Sequence, residues 1–163
     1  MIRKIIPWEV DVNSFSDEYI AGFLDGDGSI VATVEHRPER RRFPYRVRLK
    51  ISLTQHSRHK HIIEAMQQFL GGVGNIRNVA THNIVELVIL DRKELVVTLK
   101  RLRPFIVIKR KQAAIMDEIL LIYEGATVNT RSSLSESEFA IIMKKVKEIR
   151  NLNSNTGGKI KLL

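Results

Sequence analysis

Hydrophobic and polar positions change their period repeatedly along the chain, and each change marks an element. The cleanest signal runs from Tyr45 to Thr54, where Val47, Leu49, Ile51 and Leu53 alternate with Arg46, Arg48, Lys50 and Ser52. A period of two predicts a strand with one buried and one solvated face. Ser29 to Arg37 alternates in the same way, with Ile30, Ala32 and Val34 between Val31, Thr33, Glu35 and Arg37. Pro38 and the arginine-rich run to Pro44 read as a loop, so the two strands form an antiparallel hairpin. Before it, Ser14-Phe-Ser-Asp17 opens a short apolar helix that runs to about Leu24. After it, His59 to Leu70 has helical spacing (Ile62, Ile63, Met66, Phe69, Leu70) and stops at Gly71-Gly72.

A second strand pair follows, Gly74 to Val79 and Ile84 to Leu90, with a turn near Thr81 to Asn83. Asp91 caps a helix through about Leu102, which Pro104 ends; Lys109 to Tyr123 is another, stopped by Gly125. Thr127 to Ser133 reads as a polar loop. Ser135-x-x-Glu138 is a capping box for a last helix to about Arg150. The order α-ββ-α-ββ-α-α-α predicts an α+β fold in which helices cover one face of a single antiparallel sheet. One domain spans 1–163, with 1–13 as an N-terminal extension and 151–163 as a loosely held basic tail.

The uncovered face would carry Thr33, Glu35, Arg37, Arg46, Arg48, Lys50, Ser52, Asn75, Arg77 and Glu86. Lysine alone would only neutralise phosphates, whereas this mixture of donors and acceptors can match base edges, and a two-stranded ribbon fits a major groove. Glu86 either pairs with Arg77 or accepts from a cytosine amino group. Charge supports a polyanion partner. The net charge is +9, and between Ser29 and Lys60 nine Lys or Arg face only Glu35 and Glu39. A merely solvated basic face is the plain alternative.

Composition narrows the rest. An apolar fraction of 44% and a charged fraction of 28% over 163 residues suit one soluble globular domain. The absence of cysteine excludes disulfides, thiolate metal sites and cysteine nucleophiles. No apolar run reaches the roughly 18 residues of a membrane span, and the start lacks the pattern of a signal peptide. The expectation is an intracellular protein with no membrane partner, in an organelle (chloroplast or mitochondrion) or a prokaryotic cytoplasm.

The chemistry concentrates where the first helix ends, at Tyr19-Ile-Ala-Gly-Phe-Leu-Asp-Gly-Asp-Gly28. Carboxylates are electrostatically misplaced at a helix C-terminus, whose carbonyls already carry partial negative charge. Asp25 and Asp27 therefore call for a cation, and a divalent metal fits. A calcium loop would need further oxygen ligands that the following residues lack. Ala21, Gly22 and Gly26 leave one side of the helix end without bulk, so another helix can approach closely.

Ile20-Ala-Gly-Phe-Leu-Asp-Gly-Asp-Gly28 resembles the signature of the LAGLIDADG homing endonucleases. Thr54-Gln55 at the end of the second strand and Pro104-Phe105 through Lys109-Arg-Lys-Gln112-Ala resemble two further segments of that family, in the same order. The resemblance covers nearly the whole chain and matches the single-motif type. It implies a saddle-shaped αββαββα sheet fold and a homodimer whose motif helices pair at Ala21, Gly22 and Asp25. It implies catalysis by Asp27, Gln55 and Lys109, with Asp27 and the Gly26 carbonyl as ligands of Mg2+, for which Mn2+ substitutes. Asp25 is then structural rather than a ligand. Lys109 would stabilise negative charge or help activate water, and Gln55 would position water. His59 stands where relatives often carry a more basic residue. The implied activity is cleavage of double-stranded DNA at a long, partly palindromic site, leaving 3′ overhangs, in the service of intron homing. A binding protein on the same scaffold, such as an RNA-binding intron maturase or a DNA-binding regulator, is the alternative. The retention of Asp27, Gln55 and Lys109 weighs against it. His36, His56, His61 and His82 read as surface residues, with no zinc-ligand spacing.

Overall fold

The computed structural model describes residues 10–41, 44–128 and 134–154. The start of the chain, Arg42, residues 129–133 of the expected polar loop and the tail beyond Ser154 lie outside them. Helix α1 is Asp17–Asp27, followed directly by strand β1, Gly28–His36, and strand β2, Tyr45–His56. Helix α2, Lys60–Phe69, leads to strands β3, Asn75–Val79, and β4, Ile84–Ile89. Helices α3, Arg92–Leu102, α4, Arg110–Val128, and α5, Glu136–Ser154, complete the order.

The strands form one antiparallel sheet in the order β1-β2-β4-β3. Ile30 faces Ile51 and Leu53 faces Leu87 across the ladders, so the apolar sets expected from alternation fall on one side. There they join Ile20, Leu24, Ile63, Met66, Leu99, Met116 and Ile149 from the helices in one buried core. Helices α4 and α5 pack on β1, α1 and α3 on β2, and α2 on β4.

The helix signals are borne out in detail. The Ser16 hydroxyl caps α1 by accepting the Tyr19 N–H at 3.1 Å. Asp91 takes the Lys93 and Glu94 N–H groups at 2.9 and 3.1 Å. Ser135 and Glu138 cap each other reciprocally, at 2.7 and 3.2 Å. Gly71 and Gly72 take the left-handed φ values, 89° and 79°, that end a helix at no steric cost.

Three boundaries differ from expectation. Helix α1 continues past Leu24 to Asp27, so both acids lie inside its last turn. Helix α4 does not stop at Gly125 but runs on to Val128. One helical glycine costs only about 1 kcal/mol against alanine, less than the contacts of a helix packed along α5 can supply. Helix α5 runs four residues beyond Arg150 to Ser154, because Asn153 is tied down. Its amide donates to the Ile30 carbonyl of β1 at 2.9 Å, and Gln112 of α4 donates to it at 3.4 Å.

Among the described residues no helix is long and apolar enough to cross a membrane.

Candidate active site and nucleic-acid interface

The end of α1 is built from its own backbone outward. A helix leaves its last four carbonyls without intrahelical partners. Here the Leu24 carbonyl accepts the Gly28 N–H, and the Asp25 carbonyl accepts the Lys109 ammonium at 2.5 Å. The Gly26 carbonyl is next along, one residue from the Asp27 carboxylate. Asp27 is exposed, and nothing among the described residues hydrogen-bonds to its carboxylate or pairs with it. No cluster of three His, Asp or Glu side chains suited to a metal occurs among the described residues. One hard carboxylate oxygen beside one peptide carbonyl is a donor set that suits Mg2+, which keeps most of its shell for water and phosphate oxygens.

Asp25 does different work. Its carboxylate accepts the N–H groups of Val107, Ile108 and Lys109 at 2.7, 3.1 and 3.0 Å. Partial burial would raise its pKa, but the hydrogen bonds from Lys109, Val107 and Ile108, with the Lys109 charge, outweigh that and hold it below the ordinary aspartate value. The same contact fixes the turn before α4 and so sets Lys109 at the helix end that carries Asp27. Asp25 is thus engaged within its own chain, by the segment that carries Lys109.

The glycines of the motif separate by what a side chain would meet. A Cβ at Gly28 would come within 2.6 Å of Leu24 Cδ1 and 2.8 Å of the Leu24 backbone. At Gly22 and Gly26 nothing lies within 4 Å, so their lack of a side chain answers no need inside this chain. Ala21, expected beside Gly22 on an intermolecular surface, corrects that expectation. It is fully buried in the chain's own core. It lies three residues before buried Leu24 and shares its side of the helix, while Gly22, one residue on, is turned about 100° away and is exposed.

The remaining candidate catalytic residues sit nearby but do not join a network. Gly28 of β1 pairs with Leu53 of β2, so Thr54 to His56 extend past the end of β1 toward the α1 terminus. Gln55 Oε1 accepts the neighbouring His56 N–H at 2.8 Å. His59, in a single turn of 3-10 helix at Ser57–His59, accepts from Arg58 Nε at 3.2 Å. Among the described residues neither side chain hydrogen-bonds to Asp27 or Lys109. An open groove between α4 and α5, lined by Lys111, Ala114, Ile115, Glu148, Asn151 and Leu152, contains none of the candidate residues.

On the sheet, register places Thr33, Glu35, Arg46, Arg48, Lys50, Ser52, Asn75, Arg77 and Glu86 on the face away from the helices, with Arg37 just beyond β1. The acids are not free. Glu35 pairs with Arg37 and Arg48, both at 3.1 Å. Glu86 accepts Arg77 Nε at 2.7 Å and Nη2 at 2.6 Å, with Lys50 at 3.5 Å. Of the two options for Glu86, the structure shows the Arg77 pair. Ser52 is buried and shares a 2.7 Å hydrogen bond with Ser29, which leaves its hydroxyl poorly placed to meet a base. Sequence reading also missed members of this face. Thr54 and Ile84 stand in register between the charged residues, and a methyl group there can meet a thymine methyl. In β4 the run Ile-Val-Glu-Leu-Val-Ile is too uniformly apolar for alternation to reveal which members face outward.

Known proteins resemble this chain in sequence and fold. The chain is 29% identical over 102 residues to the DNA endonuclease I-CreI of Chlamydomonas reinhardtii, covering 63% of this chain and 60% of that protein. It is 29% identical over 128 residues to the DNA endonuclease I-CvuI of Chlorella vulgaris, covering 78% and 75%. The crystal structure of homing endonuclease I-CvuI in complex with its target, in the presence of calcium, superposes with a TM-score of 0.72 at 23% identity, covering 90% of this chain and 85% of that one. The likeness of fold confirms the expected sheet and helix order. Residues 20–119 match the sequence profile of the LAGLIDADG endonucleases, and the chain belongs to that family.

Proposed function

We propose that this protein is a site-specific double-strand DNA endonuclease that works as a homodimer on a long, pseudo-palindromic site and leaves 3′ overhangs. The observation that carries the reading is the meeting at one helix end of a carboxylate without a partner among the described residues, Asp27, with a fixed ammonium, Lys109, beside a sheet face built for base edges. Two relatives similar in sequence are DNA endonucleases, and a structural neighbour was crystallised on its DNA target.

Two copies related by a twofold axis would bring the open Gly22 and Gly26 surfaces together and set two Asp27 carboxylates close to each other. Asp27 and the Gly26 carbonyl would hold Mg2+, with Mn2+ as a substitute. A divalent ion held by these residues would supply a water of lowered pKa and positive charge against the scissile phosphate. Lys109 stabilises the negative charge that builds on the phosphate oxygens, from an ammonium whose place is set by the Asp25 carbonyl. Gln55 turns its amide to orient the attacking water once DNA is bound. His59 joins the solvent network through Arg58, which it already contacts. The sheet face lies in the major groove, and Arg37, Arg46, Arg48, Lys50 and Arg77 divide base reading from phosphate contact. A maturase or regulator on this scaffold has no need of Asp27 and Lys109 so arranged, and their retention favours hydrolysis. Such an enzyme works beside its host's DNA, in an organelle or in a prokaryotic cytoplasm.

The test is incubation with an uninterrupted copy of the host locus, with and without magnesium, followed by mapping of the ends. Staggered ends with 3′ overhangs, formed only with metal, are expected. An intact duplex under both conditions would overturn the reading.

A further inference from the structure

Glu86 is the only buried ionisable residue among the described residues, yet it lies on the sheet face away from the helices. What covers it is the side chains of its own face. Arg77 stands directly opposite on β3, donates Nε to Glu86 Oε2 at 2.7 Å and sets Nη2 2.6 Å from the same oxygen. Lys50 of β2 approaches Oε1 at 3.5 Å. Oε2 is committed to Arg77, and Oε1 faces the Lys50 ammonium. Glu86 therefore has little exposure with which to meet a base, and its charge is engaged by cations of its own face.

Its effect falls on Arg77. The guanidinium spends its Nε side on Glu86 and keeps the Nη1–Nη2 edge, and the side chain is 59% exposed. That outer edge is the one that matches O6 and N7 of guanine. A guanidinium fixed before DNA arrives loses less conformational entropy on binding than a free one. The acid also separates two cations, Arg77 and Lys50, that would otherwise repel each other on neighbouring strands.

Resting on the endonuclease reading above, we propose that Glu86 is a positioning residue for base recognition. It touches no base, and it fixes Arg77 for a guanine in the major groove while offsetting charge that would otherwise bind any sequence. Glu86→Gln then has two opposite effects. Discrimination falls about tenfold at one base pair in each half-site. Binding to arbitrary duplex tightens and becomes more salt-dependent, because the face gains positive charge.

The experiment selects a pool of randomised duplexes on the wild-type protein, Glu86→Gln, Arg77→Ala and the double variant, and sequences what is retained. Binding to an unselected mixed-sequence duplex is titrated with salt in parallel. The expected result is loss of preference at the same position in all three variants, no added loss in the double variant, and a steeper salt slope for Glu86→Gln alone. Glu86→Asp, which keeps the charge but shortens the reach, should weaken that position at the wild-type salt slope, and it serves if the Gln variant fails to fold. Wild-type preference at that position in whichever of the Glu86 variants folds would overturn the proposal, as would equal loss at every position. A wild-type protein that selects no sequence at all would instead overturn the endonuclease reading.

Discussion

Asp25 and Lys109 hold each other twice. The Lys109 backbone N–H donates to the Asp25 carboxylate at 3.0 Å, and the Lys109 ammonium donates to the Asp25 carbonyl at 2.5 Å. One acid of the motif thereby fixes the lysine, and the other, Asp27, is left open at the same helix end. Two carboxylates separated by one glycine differ in role because of what the turn before α4 brings to each.

Removing the first acid should weaken both fold and site. Asp25→Ala leaves three N–H groups without their acceptor and should cost about 1–2 kcal/mol in chemical denaturation, comparable to the loss of a strong helix cap. Cleavage should fall further than the lost stability explains, since Lys109 is no longer held.

The same acid sets a pH dependence. Hydrogen bonding and charge hold the Asp25 pKa below the ordinary 3.8 despite partial burial. A depressed folded pKa contributes stability that is fully present above the unfolded value and is lost as the pH falls through the folded one. Denaturation midpoints of the wild type should therefore drop more steeply below about pH 4 than those of Asp25→Asn. Parallel profiles would show that Asp25 contributes no such linkage.

The glycines should respond with opposite signs. Gly28→Ala forces a Cβ against Leu24 and should destabilise the chain by roughly 1–3 kcal/mol. Gly22→Ala meets nothing inside the chain and improves helix propensity by about 0.5–1 kcal/mol, so the isolated fold should not suffer. Sedimentation should nevertheless shift from dimer to monomer in Gly22→Ala and Gly26→Ala, because each added methyl separates two helices. Unchanged sedimentation would remove these glycines from the interface.

Arg46 and Arg48 separate phosphate contact from base reading. Arg46 is exposed and enters no ion pair among the described residues, while Glu35 holds Arg48 at 3.1 Å. Arg46→Ala should weaken binding evenly across sequences and lower the salt slope by roughly 1. Arg48→Ala should alter preference at one base pair by about 1 kcal/mol or more. Binding assays on single-substitution duplexes at several salt concentrations distinguish the two.

Much of this was legible in the sequence because alternation in β1 and β2 is strict and the helix caps are strong local signals. The Lys109 segment was placed by resemblance, and the structure adds why it matters: residues 84 apart along the chain meet at Asp25. No local pattern carries that contact. Ala21 was misplaced because smallness was read without the helical period, which sets it beside Leu24 in the core. Gly125 misled because a glycine is a weak stop when packing continues beyond it. Glu86 was undecided because a strand pattern gives the face of a residue but not which neighbour reaches it first.

The most direct measurement compares wild type and Asp27→Asn on the same duplex target, with binding and magnesium-started cleavage followed in parallel. The expected result is unaltered binding by the variant and loss of cleavage, since the amide keeps the shape of the helix end but removes the charge that holds the metal. Full cleavage by Asp27→Asn would contradict the assignment of Asp27 to the metal site.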